Sequence, residues 1–276
     1  MPSSPVELPV IAFIGGGNMA RSLVGGLVAR GADPARIHVA EPADALREAL
    51  AADFGVHVHA EASAAAEGAG LWLLAVKPQV MRSVCESLAG IAARERPLLV
   101  SIAAGITVAR LREWLGAEAA VVRCMPNTPA LLGAGVTGLY AGPGVDEGQR
   151  AQAEALLSAA GATVWIDQEP LMDAVTAVSG SGPAYVFLLA EAMQAAARAE
   201  GLDAAQARTL VVQTLLGAAR MLDETGEPAD ELRRRVTSPG GTTQAAIERF
   251  QADGFEALVA RAIHAARVRG AELAGG

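Results

Sequence analysis

A short apolar segment that runs straight into a glycine-rich turn constrains the fold of this chain most. Residues 9–14 read Pro-Val-Ile-Ala-Phe-Ile, the composition of a buried strand, and residues 15–20 follow as Gly-Gly-Gly-Asn-Met-Ala, with the spacing G-x-G-x-x-A. A helical pattern continues through Leu23 and Leu27. Glycines in such a turn let a pyrophosphate approach the amides at the amino end of the helix, where the dipole favours negative charge. The segment therefore predicts a strand, a dinucleotide-binding turn and a helix.

An acidic residue at the right distance makes this motif more specific than the glycines are alone. A second apolar strand is predicted at residues 37–40, and Glu41 follows it, about 20 residues beyond the glycine turn. A carboxylate at this place accepts hydrogen bonds from the ribose hydroxyls of the adenosine half of a dinucleotide.

Predicted strands and helices then alternate as far as residue 166. Further strands are expected at residues 56–58, 71–76, 98–101, 119–124 and 163–166. This alternation is typical of a doubly wound parallel α/β sheet, whose ligands bind at the carboxyl ends of the strands. Lys77 and Asn127 fall at such ends, although a solvated lysine and a simple asparagine turn are alternative explanations.

The second half of the chain contains only helical patterns. Residues 184–199 form a predicted helix that is apolar almost all round, and such a helix has to be buried on every side. Because Glu191 and the modest length argue against a membrane span, we expect the helix to pack inside an interlocked homodimer. We therefore predict a Rossmann domain at residues 1–168 and an all-helical dimerisation domain at residues 169–276.

A break between two of the C-terminal helices spans Val236 to Thr243. Pro239 lacks the amide that a helix needs, and Gly240 and Gly241 remove the side chains that would keep a second molecule from the backbone. We expect Thr242 or Thr243 to cap the next helix, so that amides and hydroxyls meet at a positive helix end. This is the chemistry of a small anion site, and a plain helix-loop-helix turn is the alternative.

The net charge, the apolar runs and the cysteine positions limit the kinds of partner and ligand that we expect for this chain. The net charge of −8 argues against nucleic acid, and no apolar run reaches the roughly 20 residues that a bilayer span requires. Cys85 and Cys124 lie in apolar stretches, and His57 and His59 have no third metal ligand near them in the sequence. We accordingly expect no metal site and a cytoplasmic protein with reduced thiols.

The shortage of acid and base groups in the helical half restricts the chemistry. Lys77 is the only lysine among 22 basic residues, and His264 is the only histidine after residue 168. A β-hydroxyacid dehydrogenase, the main alternative with this layout, would use a lysine of its helical domain. Reduction of a ketone needs a proton donor, whereas hydride addition to a protonated imine neutralises an existing charge, so C=N reduction is favoured. A dinucleotide-binding sensor is a further alternative, against which the hydroxyl-rich loop argues.

The chain resembles the pyrroline-5-carboxylate reductases through nearly its whole length. The resemblance rests on the segments at residues 13–19, 75–79, 101–105, 125–130, 179–185, 222–226 and 236–243. The segments at 125–130 and 236–243 are the most specific. The resemblance implies that NADPH or NADH reduces the C=N bond of 1-pyrroline-5-carboxylate to L-proline, the last step of proline biosynthesis. It also implies homodimers, which in many members assemble into decamers.

The resemblance further implies a set of site residues. The substrate carboxylate would be held by Ser238, Gly240, Gly241, Thr242 and Thr243, with Thr243 as the catalytic residue close to the ring nitrogen. The cofactor would be held by Gly15, Gly17, Asn18 and Met19 at the pyrophosphate, and by Ala75, Lys77, Ala103 and Asn127 around the second ribose and the nicotinamide. To these the spacing described above, and not the resemblance, adds Glu41 at the adenosine ribose.

Two departures from the family pattern bear on specificity. Glu41 stands where many members have a small hydroxyl-bearing or basic residue, and its charge should repel a 2′-phosphate and favour NADH. Ala20 at the third glycine position leans weakly towards NADPH, and Arg47 could reach a phosphate. Separately, residues 233–235 are three arginines in place of a basic-then-acidic pattern, which leaves one family hydrogen bond in that helix in question.

Overall fold

The first half of the protein is built on one eight-stranded sheet. The computed structural model describes residues 6–275, with side chains up to residue 272. The strand order is β3-β2-β1-β4-β5-β6-β7-β8, which is the doubly wound arrangement predicted from the sequence. The strands are β1 Ile11–Ile14, β2 Ile37–Ala40, β3 His57–His59, β4 Leu71–Leu74, β5 Leu98–Ser101, β6 Ala120–Met125, β7 Gly135–Ala141 and β8 Gly161–Trp165.

Six helices lie between these strands and match the predicted alternation. They are α1 Asn18–Ala29, α2 Asp44–Phe54, α3 Ala62–Ala66, α4 Pro78–Glu95, α5 Val108–Leu115 and α6 Glu147–Ser158. The sequence predicts β2 at residues 37–40, β5 at residues 98–101 and α5 at residues 108–115, and all three are confirmed to the residue. The largest difference is α4, which is predicted at residues 80–88. It begins at Pro78, because proline suits the first turn of a helix, and it continues to Glu95.

The sheet departs from a fully parallel arrangement at one edge. Strands β1 to β6 run parallel, whereas β7 is antiparallel to β6, and β8 is parallel to β7. Only a short 3-10 turn, Thr128–Leu132, lies between β6 and β7. A parallel return needs a crossover of about a dozen residues or more, so the chain has to reverse here.

The central strands of the sheet, β1, β4 and β5, are buried on both faces. In β4 every residue is buried, and Trp72 places its indole Nε1 3.1 Å from the carbonyl oxygen of Ala69, to which it donates a hydrogen bond. Continuous apolar strands of this kind are expected where helices cover both sides of a sheet. The two thiols belong to this core, and burial raises the pKa of Cys85 to about 12 and raises that of Cys124 as well. The predicted core thiols are therefore confirmed.

The chain divides into two compact units. One contains the sheet and continues as far as Ser181, together with the segment from Ala266 onward, and the other comprises Gly182–Ala265. Residues 169–181 thus pack with the sheet. The boundary between the Rossmann domain and the helical domain, expected after residue 168, stays a prediction.

Residues 169–181 form a short irregular helical segment, which we call the connector. It consists of the 3-10 turn Glu169–Leu171, helix α7 Met172–Val175 and a π-helical turn Thr176–Gly180. The run Ser-Gly-Ser-Gly-Pro at residues 179–183 predicts a break between two helices, but Ser181 alone separates the π-helical turn from α8. The break is short because Pro183 lies in the first turn of α8, where a missing amide costs little.

The second unit is entirely helical, as predicted. Its helices are α8 Gly182–Ala199, α9 Ala204–Thr225, α10 Ala229–Arg235, α11 Thr242–Ala252 and the first part of α12 Phe255–Gly275. Within the described chain α8 has no buried residue, and Phe187 and Leu188 are 62% and 66% exposed. An apolar surface of this extent marks an interaction face. Across residues 6–275, none of the helices has the length and apolar character that a membrane crossing requires.

Two helix glycines test the packing of the sheet unit. An alanine at Gly26 in α1 would place its Cβ 2.2 Å from the carbonyl oxygen of Ala159, whereas at Gly90 in α4 it would meet nothing within 4 Å. We expect Gly26→Ala to lower the free energy of unfolding by about 1–3 kcal/mol. Gly90→Ala should raise it by about 0.5–1 kcal/mol through helix propensity alone. Denaturant unfolding followed by circular dichroism measures both, and equal effects would contradict this packing.

Candidate functional site

The glycine turn after β1 is shaped by close backbone contacts. Gly15 has a left-handed φ of +107°, and a Cβ there would lie 2.9 Å from the carbonyl carbon of Ala75. Gly17 is the N-cap of α1, makes no side-chain cap and has open space where a Cβ would be. The amides that start α1, at Asn18 and Met19, therefore face no capping side chain. A pyrophosphate fits this cradle.

The carboxylate of Glu41 closes the glycine turn from the neighbouring strand. Its Oε2 accepts a hydrogen bond from the amide of Gly16 at 3.0 Å, and its Oε1 accepts one from the amide of Ala43, also at 3.0 Å. Glu41 thus joins the turn after β1 to the start of α2. The negative charge lies where the sequence predicts the adenosine ribose.

Arg47 is already engaged by the same loop. Its Nη1 donates to the carbonyl oxygens of Glu41 and Pro42, each at 2.7 Å, and its Nη2 pairs with Asp44. A 2′-phosphate would have to draw the guanidinium away from these partners and would meet the carboxylates of Glu41 and Asp44. The local charges therefore disfavour a 2′-phosphate on the adenosine ribose.

The ends of β4 and β5 carry the next predicted residues. Ala75 donates its amide to the carbonyl oxygen of Ile14 at 2.8 Å, which fixes it beside the glycine turn. Lys77 is the exposed N-cap of α4, and no salt bridge to it is found among the described residues. Ala103 is buried and donates its amide to Ser101 Oγ at 3.4 Å.

Asn127, after β6, is engaged on both sides of its amide. It is 9% exposed, its Oδ1 accepts from the amide of Val136 at 3.0 Å, and its Nδ2 donates to the carbonyl oxygen of Ser179 at 3.2 Å. The side chain therefore ties the connector to the sheet. One N–H of the Nδ2 group is left for a ligand.

The strand order brings these residues together at the carboxyl ends of the parallel strands. The neighbouring strands β2, β1, β4 and β5 end at Glu41, the glycine turn, Ala75 and Ala103 respectively. The order reverses at β1, which lies between β2 and β4, and dinucleotides bind at such a switch point. This grouping was predicted from the sequence.

The loop in the helical unit differs from the sequence prediction in its cap. Helix α11 begins at Thr242 with Gly241 as its N-cap, and neither Thr242 nor Thr243 caps it through a hydroxyl. The predicted threonine cap is wrong because Gly240, with a φ of +71°, turns the chain early, and Gln244 Oε1 accepts its amide at 2.7 Å. Both threonines lie in the first turn, whose amides have no partner within a helix. The positive helix end is thus present, with amides in place of the expected hydroxyl cap.

The loop residues are accessible in the helical unit. Ser238, Gly240 and Thr242 are exposed, whereas Gly241 and Thr243 are half-buried. The amide of Gly241 donates to the carbonyl oxygen of Ser238 at 3.0 Å, which tightens the turn before α11.

Two candidate functional residues, Arg123 and Glu169, were not identified from the sequence. Arg123 is 5% exposed in β6, and its Nη1 lies 3.3 Å from Glu169 Oε1. The same oxygen accepts the amide of Val108 at 2.8 Å, at the start of α5. A charge in a predicted buried strand was a signal for a buried partner. The sequence does not indicate which carboxylate pairs with Arg123.

Two other observations concern places away from the carboxyl ends of the strands. A cavity of about 540 Å³, lined by residues that include Arg96, Glu118 and Gln149, sits where β5 and β6 begin, at the opposite end of the strands. Among the described side chains, no three histidine, cysteine or acidic groups are placed to share a metal ion.

His38 lies next to His57 and His59, which the sequence suggested as a pair without a third neighbour. Its Nδ1 is 3.1 Å from Nε2 of His59, and its ring centroid is 5.0 Å from that of His57. Burial and the neighbouring imidazoles lower the pKa of His38 and His59. The parallel register of β2 and β3 brings the three rings together.

Comparison with known proteins gives two family matches. The model for pyrroline-5-carboxylate reductase dimerisation matches residues 169–273, and that for NADP oxidoreductase, coenzyme F420-dependent, matches residues 10–105. The chain therefore carries a dimerisation domain after a dinucleotide-binding domain.

Relatives match over nearly the whole length. The chain is 54% identical to the pyrroline-5-carboxylate reductase of Pseudomonas aeruginosa over 98% of each chain. The structure of a pyrroline-5-carboxylate reductase from Coxiella burnetii is similar with a TM-score of 0.94, at 42% identity over 97% of this chain and 99% of that one. The pyrroline carboxylate reductase of Plasmodium falciparum, solved with NADP bound, has a TM-score of 0.84 and 26% identity over 96% and 98%. This chain therefore belongs to the pyrroline-5-carboxylate reductase family.

Proposed function

We propose that this protein reduces the C=N bond of 1-pyrroline-5-carboxylate to form L-proline, with NADH or NADPH as the reductant. The observation that carries the proposal is the start of α11, where Gly240 and Gly241 open the first-turn amides of Thr242 and Thr243 to a small carboxylate. The glycine turn after β1 supplies the dinucleotide site that the same reaction requires. A location in the cytoplasm accords with the two buried free thiols.

The residues of the loop would bind and orient the substrate. We assign the carboxylate to the first-turn amides of α11 and to the hydroxyl of Ser238, because both carry donors at a positive helix end. The Thr243 hydroxyl would lie at the ring nitrogen and hold it in line. When bound, the reduced nicotinamide supplies the hydride. Because hydride addition turns a protonated imine into a neutral amine, Thr243 has only to orient the nitrogen and to relay to the amine a proton that comes from water.

The sheet unit would hold the cofactor through residues at the carboxyl ends of its strands. We assign the pyrophosphate to the amides of Gly17, Asn18 and Met19, and the adenosine ribose to Glu41. Lys77, Ala75, Ala103 and one N–H of Asn127 would surround the second ribose and the nicotinamide.

We further propose that NADH is the preferred reductant. Glu41 and Asp44 place two carboxylates beside the ribose position, and Arg47 is held by that same loop. A 2′-phosphate would be repelled there. The Plasmodium falciparum relative is solved with NADP bound, so the preference for NADH is proposed for this chain alone.

Neutralising Glu41 should shift the cofactor preference. We expect the protein to have a higher kcat/KM with NADH than with NADPH, and Glu41→Gln to change that ratio by about tenfold towards NADPH, since the repulsion of the 2′-phosphate is lost. Steady-state oxidation of both cofactors with pyrroline-5-carboxylate measures the ratio. Glu48→Gln removes the same charge from the exposed side of α2 and serves as the control. A ratio that is the same in both variants would exclude Glu41 as the determinant.

Removing the hydroxyl of Thr243 should affect turnover and not cofactor binding. We expect Thr243→Val to lower kcat by at least about tenfold, the value of one hydrogen bond made at the reacting nitrogen, and to leave the Kd of NADH unchanged. Thr237→Val is the matched control, because Thr237 follows α10 directly and its hydroxyl donates to the carbonyl oxygen of Arg233 in that helix. An unchanged kcat in Thr243→Val would remove this residue from the mechanism.

We also propose that the chain forms dimers through its helical half and that these dimers assemble into decamers. The exposed apolar residues of α8 support this, because Phe187 and Leu188 would otherwise lie in water.

The mass in solution tests this assembly. We expect light scattering to give ten times the 28.1 kDa of one chain, and Leu188→Asp to reduce the mass towards that of one chain because it buries a charge in the interface. Leu46→Asp changes a comparably exposed leucine on α2 and should leave the mass unaltered. A dimer without higher assembly would leave only the first half of the proposal, and a monomeric wild type would refute both halves.

A further inference from the structure

A buried arginine connects the connector to the sheet. Arg123 lies in β6, opposite Ser101 of β5, with its side chain 6% exposed. Its Nη1 is 3.3 Å from Glu169 Oε1, and its Nη2 is 3.9 Å from Asp173 Oδ1. Both carboxylates belong to the connector and are themselves largely buried. A buried guanidinium is stable only with such partners, so the start of the connector is fixed on β6.

Glu169 makes a second contact with the same oxygen. Its Oε1 also accepts the amide of Val108 at 2.8 Å, from a residue 61 positions earlier in the chain. Val108 is the first residue of α5, where the amide has no partner within the helix and the dipole favours a negative group. Glu169 therefore links Arg123 to the beginning of α5 through one atom.

The beginning of α5 also determines the loop that precedes it. Residues 102–107 run from the end of β5 to α5, and they contain Ala103 and Gly105, whose φ is +76°. The loop is held at its first end, where the amide of Ile102 donates to the carbonyl oxygen of Leu74 at 3.2 Å. Its second end is held by the Thr107 cap and by the contact between Val108 and Glu169. A loop of six residues fixed at both ends has little freedom.

We propose that Glu169, paired with Arg123, is a positioning residue that sets the loop at residues 102–107 against the nicotinamide half of the cofactor. The inference rests on the proposed function, since it takes the loop after β5 to lie at the nicotinamide. Glu169 touches neither cofactor nor substrate in this role. It acts through the amide of Val108, and Arg123 acts through Glu169.

The two halves of the cofactor provide the discriminating measurement. ADP has the adenosine and pyrophosphate parts of NADH and lacks both the second ribose and the nicotinamide, so it reports on Glu41 and the glycine turn alone. A displaced loop at residues 102–107 should therefore impair NADH turnover and leave ADP binding unchanged. A general loosening of the sheet unit would weaken both.

The first variant removes the carboxylate. We expect Glu169→Ala to lower kcat/KM for NADH by about tenfold, while the inhibition constant of ADP stays within about twofold. Glu169→Gln keeps an acceptor for the Val108 amide and should recover most of the activity. Parallel loss of turnover and of ADP binding would make Glu169 merely structural and would overturn the proposal, as would an unchanged kcat/KM in Glu169→Ala.

A second variant keeps the test decisive if Glu169→Ala does not fold, because that change leaves Arg123 buried without its nearest partner. Val108→Pro removes only the amide donor and leaves the Arg123–Glu169 pair in place. Proline is suited to the first position of a helix, and Thr107 before it already has the extended backbone that proline requires. Val108→Ala shortens the same side chain and retains the amide, so it is the matched control.

We expect Val108→Pro to reproduce the tenfold loss in kcat/KM with unchanged ADP inhibition, and Val108→Ala to remain close to wild type. Equal activity of the two Val108 variants would overturn the role of the hydrogen bond. Failure of the proposed function is recognised separately, because the unaltered protein would then not oxidise NADH or NADPH with pyrroline-5-carboxylate.

Discussion

The amides at the start of a helix are either satisfied by the chain itself or left for a ligand, and this choice organises the protein. Helices α5, α6 and α9 begin with Thr107, Asp146 and Asp203, whose side chains accept amides of the first turn. Helices α1 and α11 begin with Gly17 and Gly241, which offer no such group. A glycine at this position leaves the positive end of the helix open to an anion. These two helices are the ones assigned here to the pyrophosphate and to the substrate carboxylate.

Close backbone packing makes the first of these sites possible. Gly15 approaches the carbonyl group of Ala75 so closely that no side chain fits, and the amide of Ala75 in turn donates to Ile14. The glycine turn and the end of β4 are therefore one structure. A substitution at Gly15 would separate these two strand ends and displace the amides of α1 with them. The requirement for glycine here is steric and would hold without any ligand.

Local patterns were sufficient to predict part of this arrangement. The turn at residues 15–20 and Glu41 could be predicted because a strand, a turn and a helix are contiguous, and the sheet then places their ends together. The cap of α11 could not, since it depended on the left-handed conformation of Gly240 and not on the preference of threonine for caps. Glu169 escaped prediction because its two partners are distant in sequence and are brought to it only by the fold. The reversal of β7 likewise followed from the length of one connection, which strand propensity does not describe.

Glu41 shows why cofactor choice and turn geometry cannot be separated in this chain. Its two oxygens already accept the amides of Gly16 and Ala43, yet a carboxylate has about four acceptor positions, so ribose hydroxyls can be added without breaking either contact. A cofactor with free ribose hydroxyls would therefore bind a turn that needs no rearrangement. A 2′-phosphate, in contrast, would repel the same carboxylate that holds the Gly16 amide in place. Adaptation to NADPH would thus have to replace a structural contact of the glycine turn as well as a charge, which is a larger change than one substitution at the ribose.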